Sequence, residues 1–468
     1  MSPLPLPALL DRILRTVHRR YRLASLVQTA SPSDAASPAA DIATTIEAAR
    51  AALAAGEPVA PALRRGFIDA LARMIREAID PRSGDPAFQA AVLRHDAPGV
   101  RKYASLTAHA EQDRRTLRSA VNALAHPAKR ERLAHAWQRD ALAELHAAAF
   151  AGSWGAFRDA LQRLRTRSEM AADAAFARDL DKLQDSAALE RLLRIDALAP
   201  DPQVREYRAL IAHHGPESGS TLAVAQGATS HRRGAAVEAS AAQALGALAQ
   251  RLDADDAQRT YRVVTSMRVP SSIPGRHDRA KTEWDAVLLD RARDEGPDAA
   301  WHVRFLVEAK ASADAATTDL PRLLRGLNLL AQADRATLYA FETREGPVRV
   351  HGASLAALTT DEAALQREVI YCCDTGAEVT PRMLSAASRM QLLSAQASLD
   401  YASALARGAD VDAHALGVIW DALVTMPQWR AVLHQYATLR QVRELMVRVD
   451  DLLTAIDEAA GHDRARSG

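Results

Sequence analysis

The chain has 468 residues, a formal net charge of +1 and 48% hydrophobic residues, while aromatics make up only 4%. This length suits two or three domains, and the near-neutral charge excludes a globally basic nucleic-acid coat, so any contact with nucleic acid must use local patches. The two cysteines, Cys372 and Cys373, are adjacent. Such neighbours rarely bridge each other and cannot ligate zinc alone, which points to a reduced, cytoplasmic setting. No apolar run reaches the ~18 residues a bilayer-spanning helix needs, so no membrane partner is expected.

In chain order, residues 1–41 open with the Pro-rich MSPLPLP, continue into an amphipathic helix carrying Leu9, Leu10, Ile13, Leu14 and Val17, and end in a Ser/Ala/Pro linker. The helix lacks the apolar centre and cleavage site of a secretory signal and is expected to pack on the body of the protein. Residues 42–215 show helical spacing almost throughout, for example over Ala62–Ile79, Asp113–Leu124, Ala136–Phe150 and Trp154–Thr166. Proline and glycine punctuate these segments, and no fixed repeat period emerges. Residues 379–468 are again helical in pattern, and Ala431–Ile456 reads as one long helix with Leu439, Val442, Leu445, Met446 and Val449 on one side. That face suits packing on the N-terminal helices or homo-oligomer formation.

Residues 216–378 differ. A helix over Arg233–Leu252 places Glu238 on the stripe of Ala242, Leu245, Ala249 and Leu252, where a plain amphipathic helix would carry an apolar residue. Tyr261–Val269 reads as a strand. The stretch TEWDAVLLD, a polar turn around Asp294–Asp298, and WHVRFLVEAK then read as an antiparallel hairpin. Alternation along the second arm puts Leu306, Glu308 and Lys310 on one face and Phe305, Val307 and Ala309 on the other, with Asp285 on the partner strand. A helix follows with its start signal at Thr318-Asp319-Leu320-Pro321, then short strands at Thr337–Phe341 and Val348–His351, and an edge strand at Glu368–Cys373. Two carboxylates and an ammonium at adjacent strand ends are what a magnesium-dependent phosphodiesterase requires: oxygen ligands for a hard cation and a lysine to steer water and phosphate. The loop Pro270–Lys281 carries Arg276, Arg279 and Lys281 towards Asp285; with Arg232 and Arg233 these are the candidate contacts to a nucleic-acid backbone.

Taken together, the order of elements (αβββαβ) and these residues resemble the PD-(D/E)XK nuclease superfamily. The resemblance covers the middle third of the chain. It implies an α/β core of restriction-endonuclease-like type, with a mixed central sheet, set between predominantly helical N- and C-terminal regions. Asp285 stands for the motif aspartate, Glu308 and Lys310 for the (D/E)-x-K pair, and Glu238 for the helix carboxylate; Trp284 replaces the motif proline. The implied activity is metal-dependent hydrolysis of phosphodiester bonds, in DNA rather than RNA, in bacterial defence or repair. Asp285, Glu308 and Glu238 would hold Mg²⁺, with Mn²⁺ as a substitute. The alternative is a catalytically silent nuclease-like scaffold within a larger helical assembly. The lysines strengthen the match: the chain has only Lys102, Lys129, Lys182, Lys281 and Lys310, so lysine rather than arginine at position 310 is an informative choice.

Overall fold

The computed structural model describes residues 6–23, 37–133, 135–167, 174–214, 221–296, 299–374, 376 and 382–467. Most of the expected Ser/Ala/Pro linker, the end of the polar turn at 297–298, and residues 215–220 lie outside this set. A mostly helical N-terminal region precedes a mixed five-stranded sheet with its helices, and a helical segment follows. The chain divides into two compact units: Met1–Met74, Ser218–Leu392 and Leu416–Gly468 form one, and Ile75–Glu217 with Leu393–Ala415 forms the other. The C-terminal helices are therefore shared out, whereas the sequence reading kept residues 379–468 together. The reason is local to the second unit. There the helix Gln396–Ala406 meets Pro86–Asp96, with Ser403 Oγ donating to Asp96 at 2.7 Å and His95 Nε2 lying 2.8 Å from Asp400. The rest of that unit is a helical bundle around Leu117, Leu145, Trp154, Phe157 and Leu189.

In the first unit the sheet runs β1 (Arg259–Arg268), β2 (Glu283–Ala292), β3 (His302–Ala309), β6 (Val369–Cys373), β7 (Met446–Arg448). The first two junctions are antiparallel and the last two parallel. The apolar residues of the sheet divide between two layers, one on each face. Leu306, Tyr371 and Met446 pack with Leu320, Leu323, Leu327 and Leu330 of the helix Ala313–Leu330. Phe305, Val307, Ile370 and Val447 pack with Ala241, Leu245 and Leu248 of the helix Thr221–Asp255, and with the helices Ala8–Thr16 and Val449–Ser467. The N-terminal helix thus lies on the body, burying Leu9, Leu10, Ile13 and Leu14.

Five local expectations are corrected. The Val369–Cys373 strand is interior, not at the edge: all five residues are buried, and a continuous apolar run suits a parallel strand covered on both faces. The strands β4 (Leu338–Phe341) and β5 (Val348–His351) pair with each other as a separate two-stranded sheet. The predicted long helix Ala431–Ile456 is broken by β7, where Val447 pairs with Cys372; a distant strand overrides a locally helical pattern. Finally, the helix after β3 begins at Ala313, capped by the Ser312 side chain accepting from Ala315 N, so that Pro321 falls inside it. The upstream helix also starts earlier than Arg233.

Candidate active site

The site is assembled where β2 and β3 run side by side. Ala286 pairs with Val307, and one further step in that antiparallel register brings Asp285 opposite Glu308 on the face of the Ala313–Leu330 helix. Two hydrogen bonds tie Asp285 to this end of β3. The Asp285 backbone N–H donates to Glu308 Oε1 at 3.4 Å, and the Ala309 N–H donates to Asp285 Oδ2 at 2.9 Å. The end of β3 is fixed to β6 by the Lys310 N–H, which donates to the Cys372 carbonyl at 2.9 Å. Lys310 Nζ then turns back to lie 3.2 Å from Glu308 Oε2 and 3.8 Å from Asp285 Oδ2. Strand alternation therefore delivers the carboxylate–carboxylate–ammonium cluster that the sequence pattern led one to expect.

Two residues join it that sequence reasoning missed. Asp319, read as part of a helix start, lies 3.6 Å from Lys310 Nζ and accepts a hydrogen bond from the Tyr371 hydroxyl at 3.3 Å. Lys281 is expected from sequence to reach phosphate from its loop. It is instead buried, with its Nζ 2.5 Å from Glu308 Oε2 and 3.9 Å from Asp285 Oδ1. That expectation is corrected: an ammonium sealed against a buried carboxylate is not presented to solvent phosphate. The available signal was that Lys281 is one of only five lysines in the chain.

The remaining predicted residues fall around this cluster. Glu238 sits on the exposed side of its helix, one position from the buried Val237, and makes no hydrogen bond or ion pair with the cluster among the described residues. The buried stripe runs through Val237, Ala241, Ala244 and Leu248, so Glu238 flanks it. Partial burial and the Asp285 charge nonetheless push its carboxyl above the usual range. Arg276 and Arg279 are exposed and line an open cleft with Arg325, Asn328 and Gln332 of the following helix. Arg279 takes a left-handed backbone conformation, φ 57°, and its carbonyl accepts from Arg325 Nε at 2.8 Å. Arg232 and Arg233 are exposed on the Thr221–Asp255 helix.

Burial and the Asp285 carboxylate push Glu308 up to about 8, against the opposing pull of Lys281 and Lys310. For Lys310, burial disfavours the ammonium, but Glu308, Asp285 and Asp319 together outweigh it and hold the group above its ordinary value. Trp284, beside Asp285 in β2, is fully buried and its indole N–H has no hydrogen-bond partner among the described residues.

Compared with protein-family models, curated proteins and solved structures, the chain matches none. The chemistry of the site is thus read from its own atoms. Asp285 and Glu308 supply hard oxygen donors converging on one point, and an ammonium already bridges them. Mg²⁺ is commonly held by one or two carboxylates with waters and substrate oxygens completing the shell, so this donor set fits it. Among the described residues no three His, Cys, Asp or Glu side chains are gathered tightly enough to form a closed protein cage. No helix of the described residues is long and apolar enough to cross a membrane.

Proposed function

We propose that the protein is a metal-dependent nuclease of PD-(D/E)XK type that hydrolyses phosphodiester bonds in DNA, with Asp285, Glu308 and Lys310 as its catalytic residues. The observation that carries this reading is their convergence at one strand end, with Lys310 Nζ within 3.8 Å of both carboxylates. Asp285 and Glu308 would hold Mg²⁺, or Mn²⁺ in its place, and Glu238 would act from an outer position. When bound, the metal supplies Lewis-acid stabilisation of charge on the phosphoryl oxygens. Lys310, steadied by Asp319, orients the attacking water towards phosphorus, and the Asp319–Tyr371 contact keeps Asp319 in place. Arg276 and Arg279 bind the DNA backbone along the cleft they line with Arg325, by charge-assisted contacts to phosphate.

The test is incubation of purified protein with supercoiled plasmid and with single-stranded DNA in Mg²⁺, Mn²⁺ or EDTA. Cleavage in either metal and none in EDTA is expected. Glu308→Ala should weaken metal binding and regain part of its activity at high Mn²⁺. One observation favours a second reading, a silent scaffold: Lys281 seats its ammonium on Glu308, so the cluster is internally ion-paired. Absence of both cleavage and metal binding would select that reading.

Metal affinity should also depend on pH in a defined direction. A cation that takes Glu308 competes with its proton, and burial beside Asp285 strengthens that competition as pH falls, against the opposing pull of Lys281 and Lys310. Calorimetric Mg²⁺ affinity is therefore expected to rise from pH 6.5 to 8.5 and then level off. Affinity that is flat across this range would show that Glu308 is already ionised at pH 6.5 or is not a ligand.

A further inference from the structure

Lys281 is held in place by more than its charge. Its backbone N–H donates to the Arg322 carbonyl at 3.1 Å. Gly326, one helical turn further on, lies so close that a Cβ there would meet the Lys281 Cβ at 2.8 Å and its carbonyl oxygen at 2.9 Å. Only glycine allows this approach without a backbone shift. The lysine stem is thereby carried inwards until its side chain is 5% exposed, with Nζ 5.9 Å from the centre of the Trp284 ring. The ammonium then lies between Glu308 Oε2 at 2.5 Å and Asp285 Oδ1 at 3.9 Å. Lys310 meets the same Glu308 oxygen but the other Asp285 oxygen, Oδ2, and has Asp319 as a third partner. The two lysines are therefore not equivalent. Lys310 has an acid of its own outside the carboxylate pair, whereas both of the acidic groups that Lys281 meets are the proposed metal ligands.

We propose that Lys281 is a positioning residue that stands in the place of the divalent cation, keeping Asp285 and Glu308 together while no metal is bound and being displaced when metal binds. This rests on the proposed metal-dependent reading of the site. With Lys310 alone, Asp285, Glu308 and Asp319 would share one ammonium, and the two proposed ligands would repel each other in a poorly solvated site. The Lys281 ammonium removes that cost and keeps both donors oriented. The same charge opposes a second cation at the same two oxygens, so Lys281 makes metal affinity lower than the donor set alone would give. It thereby tunes the site to fill only when metal is abundant or when substrate phosphate adds its own negative charge.

The experiment is calorimetric titration of the full chain with MgCl2 and with MnCl2, using wild type, Lys281→Met and Lys281→Gln at pH 8.5. Met keeps most of the stem's volume, and Gln supplies a neutral polar alternative should Met not fold. Both variants are expected to bind metal at least about tenfold more tightly and to gain more in Tm on metal addition than wild type, even if their metal-free Tm is lower. A purely structural lysine would lower Tm without tightening metal binding. Equal or weaker binding in the variants, with wild type binding, would overturn the inference and leave the metal site standing. Failure of wild type and variants alike to bind would overturn the metal reading, and this inference with it.

A second measurement needs no variant. Amine acetylation of wild type, followed by mass spectrometry, should rise several-fold at Lys281 on addition of saturating Mg²⁺, because the amine loses its carboxylate partners. The exposed Lys102, Lys129 and Lys182 serve as internal references and should not change. Labelling of Lys281 that is unchanged or reduced by a metal that demonstrably binds would contradict displacement.

Discussion

Replacing Lys310 with arginine is expected to remove most DNA cleavage, about 10²-fold or more, and replacement with alanine should do the same. The position is confined: Lys310 Nζ lies 3.2 Å from Glu308, 3.8 Å from Asp285 and 3.6 Å from Asp319. A compact ammonium meets three carboxylates there, and a planar guanidinium of different reach cannot reproduce those contacts while still orienting water. The measurement is the single-turnover rate on plasmid at saturating Mg²⁺, with DNA binding followed separately by anisotropy in Ca²⁺ or EDTA. Binding should survive, because the backbone contacts are assigned to Arg276 and Arg279. Cleavage that persists in Lys310→Ala would make Lys310 a strand-end charge neutralising Glu308 and would move the scaffold reading ahead.

The largest expected effect on stability lies at the far end of the same strands. Asp290 of β2 is fully buried and pairs with Arg304 Nε of β3 at 2.6 Å and with Arg259 of β1. Arg304 is itself almost wholly enclosed, with 6% of its side chain exposed. Asp290→Ala should therefore cost about 3–5 kcal/mol in denaturant unfolding, because it strands a buried guanidinium. Combining it with Arg304→Met should restore much of the loss, since replacing both members of a buried pair by apolar groups is often nearly neutral. A single variant that costs less than about 1 kcal/mol would mean that water reaches Arg304.

Most of this site was legible because it lies on two sequence-adjacent strands. Alternation alone separates Leu306, Glu308 and Lys310 from Phe305, Val307 and Ala309, and the two core layers divide those apolar residues in that way. What escaped the sequence depends on contacts between distant segments. Lys281 reads as loop charge because its burial is produced by Gly326, 45 positions later in the chain, and by Glu308. Asp319 reads as helix-start chemistry beside a proline, whereas the cap that forms is Ser312, leaving Asp319 free to face Lys310. Met446–Arg448 fits helical spacing with Leu445 and Val449, and only the pairing of Val447 with Cys372 makes it a strand. The interior position of Val369–Cys373 follows from its pairing with β3 on one side and with the distant β7 on the other, which local sequence does not encode. The αβββ part of the core was therefore readable in order, while the parallel half of the sheet was not.

The most direct measurement is anomalous diffraction from crystals soaked in MnCl2. The account predicts a Mn²⁺ peak in contact with carboxylate oxygens of both Asp285 and Glu308, with the Lys281 ammonium moved off Glu308 Oε2 and Lys310 still beside the site. A Mn²⁺ peak elsewhere, or no peak at this cluster with Lys281 and Glu308 still paired at metal concentrations that support cleavage, would contradict it.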